Sequence, residues 1–259
     1  MRDSNGPTWP NDDQPGDAGS ALLVHTQMNH LYGRGAGRPR DADWLARRVE
    51  LYLRYTVPSL ARQTDRHFTI WLDCRAGSEG QLEPHLDALL AAGVRVTFDR
   101  GAQLLSELPT DVRQVYVTRI DSDDLYAPDA IALIHRLHGA AAASQFCRGY
   151  VCDLTSGEIR RVALRSPPFY TLRFARDEFT SAADLWPLLA PRPERPGAPR
   201  GHSVVRERFS PVALPHARFC ILRHDSNTGG TFRGQRVTCP AALAEIRERF
   251  ALPTAVAAA

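Results

Sequence analysis

The sequence predicts an α/β fold with a mostly parallel central sheet flanked by helices. Three observations carry that prediction. Between residues 21 and 139, apolar runs rich in Val, Ile and Leu alternate with segments of helical periodicity. The runs are continuous, as in strands covered on both faces of a parallel sheet. Acidic residues stand where two of the runs end, and ligands of such sheets bind beyond the carboxyl ends of the strands.

Residues 1–19 are rich in Pro, Gly, Asp and Asn without periodicity and read as a disordered tail. ALLVHTQ (21–27) is the first strand, followed by a Gly/Arg-rich loop (29–43). From Trp44 to Gln63, Leu45, Val49, Leu53 and Leu60 fall near one helical face, with Asp43 placed to cap it and Pro58 to kink it. HFTIWLD (67–73) is the second strand, and 79–93 is a helix closed by Gly93. VRVTFD (94–99) and RQVYVTRI (113–120) are the next strands, and 127–139 is a helix with Pro128 in its first turn. The second half is less regular. It carries strands at 145–154, 159–165 and from 216, helices at 179–190 and 239–252, and a Pro/Arg/Gly loop at 191–201. One domain over 20–259 is expected, with a nucleotide-binding half (20–139) and an irregular acceptor-side half (140–259).

Composition narrows the function. With 43% hydrophobic and 24% charged residues, the chain is of the soluble globular kind. No apolar run is long enough to span a bilayer, and the first twenty residues lack signal-peptide character, so a cytoplasmic protein is expected. The five scattered cysteines read as reduced thiols. All 32 basic residues are arginine, which excludes a Walker-A, Schiff-base or general-base lysine. GRGAGR (33–38) lacks GxGxxG spacing and reads as a solvated cationic loop.

The densest chemical signal is VYVTRIDSDDLYAP (115–128), where Asp121, Asp123 and Asp124 crowd behind a buried strand. Carboxylates packed that closely need a cation or solvent to stay ionised. Mg²⁺ and Mn²⁺ are often held by one or two carboxylates plus substrate phosphates, and such a turn supplies that half-site. The same aspartates could instead cap the next helix.

Trp44, Leu45 and Arg47, then TVPSLARQTDRHFTIWLD (56–73), VTRIDSDDLYAPDAI (117–131) and RHDSNTGG (223–230), occur in an order that resembles GT-A-type glycosyltransferases. Within that class the chain is most similar to the bacterial family described as putative rhamnosyltransferases. The resemblance covers about four fifths of the chain and is loose over 140–216. It implies a nucleotide-sugar donor and Mg²⁺ or Mn²⁺. Asp121 and Asp123, with Asp124 as auxiliary and His224 completing the set, would hold metal and diphosphate. Asp73 would contact the nucleoside, residues around Thr26 to Asn29 would border it, and Arg119 and Arg223 would lie near the diphosphate. An inverting transfer needs a general base, with Asp177, Glu178 and His202 as candidates. The acceptor hydroxyl could belong to a glycan, a lipid-linked saccharide or a small molecule.

Three other classes compete. A metal-dependent phosphotransferase or hydrolase predicts an aspartate nucleophile on the first strand, and ALLVHTQ has none. A degenerate nucleotide-sugar-binding domain predicts loss of the acidic cluster, which is intact. A nucleic-acid binder predicts a basic stripe, whereas these arginines alternate with acids.

Overall fold

The computed structural model describes residues 19–28, 42–99, 101–137, 141–181, 202–224 and 232–253. The expected N-terminal tail, the GRGAGR loop, Asn29, most of the expected helix at 179–190, the Pro-rich loop and residues 225–230 lie outside the described residues.

Strands β1 (Ser20–Gln27), β2 (Thr69–Asp73), β3 (Val94–Thr97) and β4 (Gln114–Arg119) form a parallel half-sheet. β1 lies between β2 and β4, and its run from Leu22 to Thr26 is buried throughout. The short β5 (Asp124–Tyr126) follows, then β6 (Ala143–Asp153), β7 (Ile159–Ala163), β8 (Tyr170–Ala175), β9 (Val212–Arg223) and β10 (Gln235–Arg236).

The sheet as a whole is mixed, not mostly parallel. Its order is β10-β7-β6-β8-β4-β1-β2-β3, with β9 joining β6 to β5. The reversal comes from β8, a strand outside the expected elements. It inserts antiparallel between β4 and β6. Tyr170, Leu172 and Phe174 alternate with Thr171 and Arg173, a short strand pattern, and neighbours on both sides take its hydrogen bonds. β5 pairs antiparallel with β9.

Register shifts between Phe146 and Gly149 put bulges in β9, which advances from Leu214 to Phe219 while β6 advances only from Phe146 to Gly149. Gly149 sits opposite them because a Cβ there would collide with the Phe219 ring and carbonyl oxygen. Phe219 stacks on Phe169 with ring centroids 4.0 Å apart, so it has little room to yield. Gly149→Ala is therefore expected to cost about 3 kcal/mol through overpacking, read as a lowered denaturation midpoint.

The expected helix at 44–63 is present as three joined pieces. Helix α1 (Ala42–Leu51) runs into a π-helical turn (Tyr52–Thr56) and then α2 (Val57–Ala61). Pro58 lacks an N–H and crowds the carbonyl four residues back, which favours widening the turn ahead of it. Leu45, Val49 and Leu51 bury one face of α1. Arg48 stands on the border of that face, while Arg47 is exposed. Beyond α2, the Gln63 side chain donates to the Ala127 carbonyl (2.8 Å) and accepts from Ile131 N–H (3.0 Å), tying this helix to the segment after β5.

Candidate active site

The chain turns sharply after β4. The Asp124 N–H donates to the Asp121 carbonyl at 3.2 Å, closing a tight turn over Asp121-Ser122-Asp123-Asp124. Tyr126 Oη donates to the Arg119 carbonyl at 2.7 Å and locks that turn to the strand end. The next helix, α3 (Ala130–His135), begins six residues later and has Asp129 at its N-cap position, so the cluster is not a helix cap.

The turn sends its three carboxylates in different directions. Asp121 is the most accessible, with 34% of its side chain exposed, and pairs with Arg119 at 2.6 Å. Asp123 is buried and faces α1. Arg48 donates from Nη1 to Asp123 Oδ2 at 2.7 Å and from Nη2 to Oδ1 at 2.9 Å, a two-pronged grip. Arg48 Nη2 also reaches Ser122 Oγ at 2.6 Å, and the guanidinium lies 5.7 Å from the Trp44 ring centroid. His224 Nε2, just past the end of β9, lies 3.0 Å from Asp123 Oδ2. Burial alone would raise the Asp123 pKa, but the His224 hydrogen bond and the Arg48 charge outweigh it and hold the carboxyl below its usual range.

Asp124 turns inward, and its Oδ1 accepts from Leu222 N–H at 3.4 Å. Burial, reinforced by the charges of Asp123 and Asp121, pushes its carboxyl well above the usual range. Its neutral form is therefore favoured relative to that of its neighbours.

The structure thus brings two of the four expected metal donors together, Asp123 and His224. Asp121 and Asp124 point elsewhere, and among the described residues no group of three or more His, Cys, Asp or Glu is placed to hold a metal ion. The pair fits a half-site: a carboxylate oxygen and an imidazole nitrogen 3.0 Å apart can be neighbouring ligands of one cation whose other positions go to phosphate and water. Arg48 grips the same carboxylate.

The other candidates are distributed as follows. Asp73 ends β2 beside Gln27 of β1, fully buried, with His25 Nε2 at 3.5 Å from its Oδ2. Thr26 is buried alongside. His25 pairs in register with Arg119, so His25, Asp73, Arg119 and Asp121 share the carboxyl-end rim of β1, β2 and β4. Burial would lower the Arg119 pKa, but Asp121 more than compensates and keeps it charged. Arg223 is turned away: it faces Asp153 at 3.7 Å and the Phe232 ring at 5.5 Å.

Of the three candidate bases, only His202 lies close to this rim. Its ring centroid is 6.2 Å from that of Tyr170. Burial, with Arg119 nearby, lowers its pKa to about 3, so the imidazole is neutral at physiological pH. Asp177 and Glu178 belong to helix α4 (Arg176–Ser181), which packs at the opposite end of β4, where Ala175 pairs with Gln114. That is about 20 Å along the strand from the aspartate turn. Both are exposed there, and Glu178 accepts from Ala175 N–H.

His202 gives a pH signature. Its folded-state pKa lies below the unfolded 6.5, so its contribution is intact above pH 6.5 and is lost as pH falls toward 3, where only the unfolded chain takes the proton. His202→Gln is expected to flatten the fall in stability between pH 6 and pH 4, read by denaturation midpoints across that range.

Sequence reasoning missed Arg48. A cation three residues from Leu45 and next to Val49 marks the border of a buried helix face, but its partner lies 75 residues away.

An α/β sheet with charged groups gathered at the carboxyl ends of its parallel strands is the architecture of a ligand-binding enzyme. The chain belongs to the family described as "putative rhamnosyl transferase", whose profile matches residues 38–172, just over half of it. No curated protein matches. Among solved structures it is similar to S. aureus TarS 1-349, at 13% identity and TM-score 0.38, over 78% of this chain and 60% of that one. It is also similar to the glycosyltransferase GlyE of Streptococcus pneumoniae TIGR4, at 13% identity and TM-score 0.39, over 75% and 45%. The chain thus spans less than two thirds of those proteins. These likenesses are distant, and the family membership rests on the profile match alone.

Proposed function

We propose that this protein is a glycosyltransferase of the GT-A kind and moves a sugar from a nucleotide diphosphate to an acceptor hydroxyl, within one domain and in the cytoplasm. The observation that carries the reading is the buried Arg48–Asp123–His224 constellation beside Arg119–Asp121 at the carboxyl end of β4. Rhamnose as the donor sugar follows from the family's description alone.

The chemistry asks for positive charge where the departing diphosphate gains negative charge. Arg119 stands at the strand ends with its guanidinium held by Asp121. Arg48 stands across the turn, held by Asp123 and Ser122. Both are planar donors able to grip phosphate in two-pronged fashion, which a chain without lysine must use for this purpose. Asp123 and His224 would hold Mg²⁺ or Mn²⁺, which when bound supplies further charge to the diphosphate. Asp73 lies too deep for an open approach, so its part is to set the rim with His25, and nucleoside contact falls to groups above it. His202, neutral at physiological pH, can accept a hydrogen bond from the acceptor hydroxyl, but with a pKa of about 3 it is a weak base.

The reading is tested by calorimetric titration of UDP, TDP and GDP, each with and without Mn²⁺. One nucleotide is expected to bind, and to bind more tightly with Mn²⁺. Binding of that nucleotide to equal extent with and without metal would remove the metal from the site. No binding by any nucleotide would leave a degenerate domain.

A further inference from the structure

A second charged feature lies outside this site. Helix α5 (Ser203–Phe209) precedes β9, and the closing helix α6 (Pro240–Phe250) packs Ile246 and Phe250 onto the β6–β7–β9 face, with Phe250 meeting Tyr150 edge-on at 5.9 Å. Past the end of α6 that face is open. It forms a groove of about 640 Å³ whose lining includes Arg148, Tyr150, Arg161, His216, Arg218 and Arg249. Arg218 and Arg249 share one carboxylate, Asp129, at 2.8 and 3.3 Å. Among the described residues no carboxylate pairs with Arg148 or Arg161, and both are exposed.

The two arginines are placed by the sheet. Arg148 lies opposite Ala163, and Arg161 lies opposite Tyr150, so they are diagonal neighbours about 7–8 Å apart on one face. Like charges set side by side are unfavourable unless an anion offsets them. Small neighbours, Ala163 and Ala217, leave the floor between them open, and the Tyr150 ring forms one wall. His216 enters the groove from a backbone at φ 69°, a left-handed conformation uncommon outside glycine and asparagine. Along β9, Arg218 is six residues from His224, about 20 Å in extended chain, so the groove is separate from the aspartate turn.

We propose that this groove binds a phosphate ester, held between the Arg148 and Arg161 guanidiniums with Arg218, Arg249 and His216 on the opposite wall. Guanidinium forks match phosphate oxygens two at a time, and five cationic or protonatable groups against one carboxylate leave the charge for a ligand to complete. The phosphate could belong to a lipid headgroup or to a soluble ester.

The test uses the full chain against three probes: vesicles of phosphatidylglycerol in phosphatidylcholine, vesicles of phosphatidylcholine alone, and soluble glycerol 3-phosphate. The protein is expected to bind one phosphate probe, more weakly as salt rises, and the Arg148→Ala, Arg161→Ala double variant to bind it about 30-fold less, as two surface cations contribute. Binding to phosphatidylglycerol vesicles alone identifies a lipid headgroup, and binding to glycerol 3-phosphate identifies a soluble ester. Nucleotide titration of the double variant is expected to match the parent. Absence of binding to every probe, equal binding by the double variant, or a parallel loss of nucleotide binding overturns the proposal.

Discussion

Arg48→Ala is expected to cut sugar transfer by at least about 100-fold and to destabilise the fold by about 3–5 kcal/mol, the cost of leaving a buried charge without its partner. Arg48 and Asp123 are nearly enclosed, with 12% and 8% of their side chains exposed, and each oxygen of Asp123 receives its own guanidinium nitrogen. Without Arg48, Asp123 keeps only His224 of these partners, and the turn loses its tie to α1. Arg48→Lys places a charge without a fork. It should recover part of the stability and little of the activity. The measurements are the thermal midpoint and turnover of a nucleotide sugar. Parental turnover in Arg48→Ala would remove this arginine from the site.

Asp123→Asn and Asp124→Asn are expected to differ sharply, although they are neighbours of the same type. Asp123 is ionised and holds two partners, so its neutralisation leaves Arg48 without a counter-charge and should cost about 3 kcal/mol or more and at least about 100-fold in transfer. The pH dependence follows. With its folded pKa below the unfolded 3.8, Asp123 stabilises the fold at neutral pH, and that stability disappears as pH falls through the lower folded value. Asp124 runs the other way. Its folded pKa lies well above 3.8, so its contribution is present in acid and lost as pH rises through that raised value. Burial favours the neutral carboxyl there, and asparagine copies its shape without its charge. Asp124→Asn should be as stable as the parent or more so, with transfer within about threefold. Equal losses in the two variants, by turnover and thermal midpoint, would contradict the division of roles.

Much of the first half is legible in the amino-acid order alone. Continuous apolar runs place β1 to β4 to within a few residues, since buried parallel strands leave the plainest pattern. The acidic turn is legible too, because three aspartates behind an apolar run stand out in any reading of charge. The short helices do not declare themselves, and β8 declares its strand character but not its neighbours. The alternation of Tyr170, Leu172 and Phe174 is short, and the place of β8 between β4 and β6 is set only when both neighbours take its hydrogen bonds. β9 begins at Val212, with exposed residues that carry no core signal.

Residue order is enough to place the carboxylates and Arg119 at the end of β4, and the family resemblance adds His224, but Arg48 is not legible in it. What each group does is set by the folded chain. The turn after β4 sends Asp121 outward to Arg119, Asp123 to Arg48 and His224, and Asp124 into the β5–β9 pairing. Folding also carries Asp177 and Glu178 to the far end of the strand and leaves His202 near the rim. The physical reason is that ionisation and pairing depend on burial and on partners 75 and 101 residues away, which meet only once the sheet has closed.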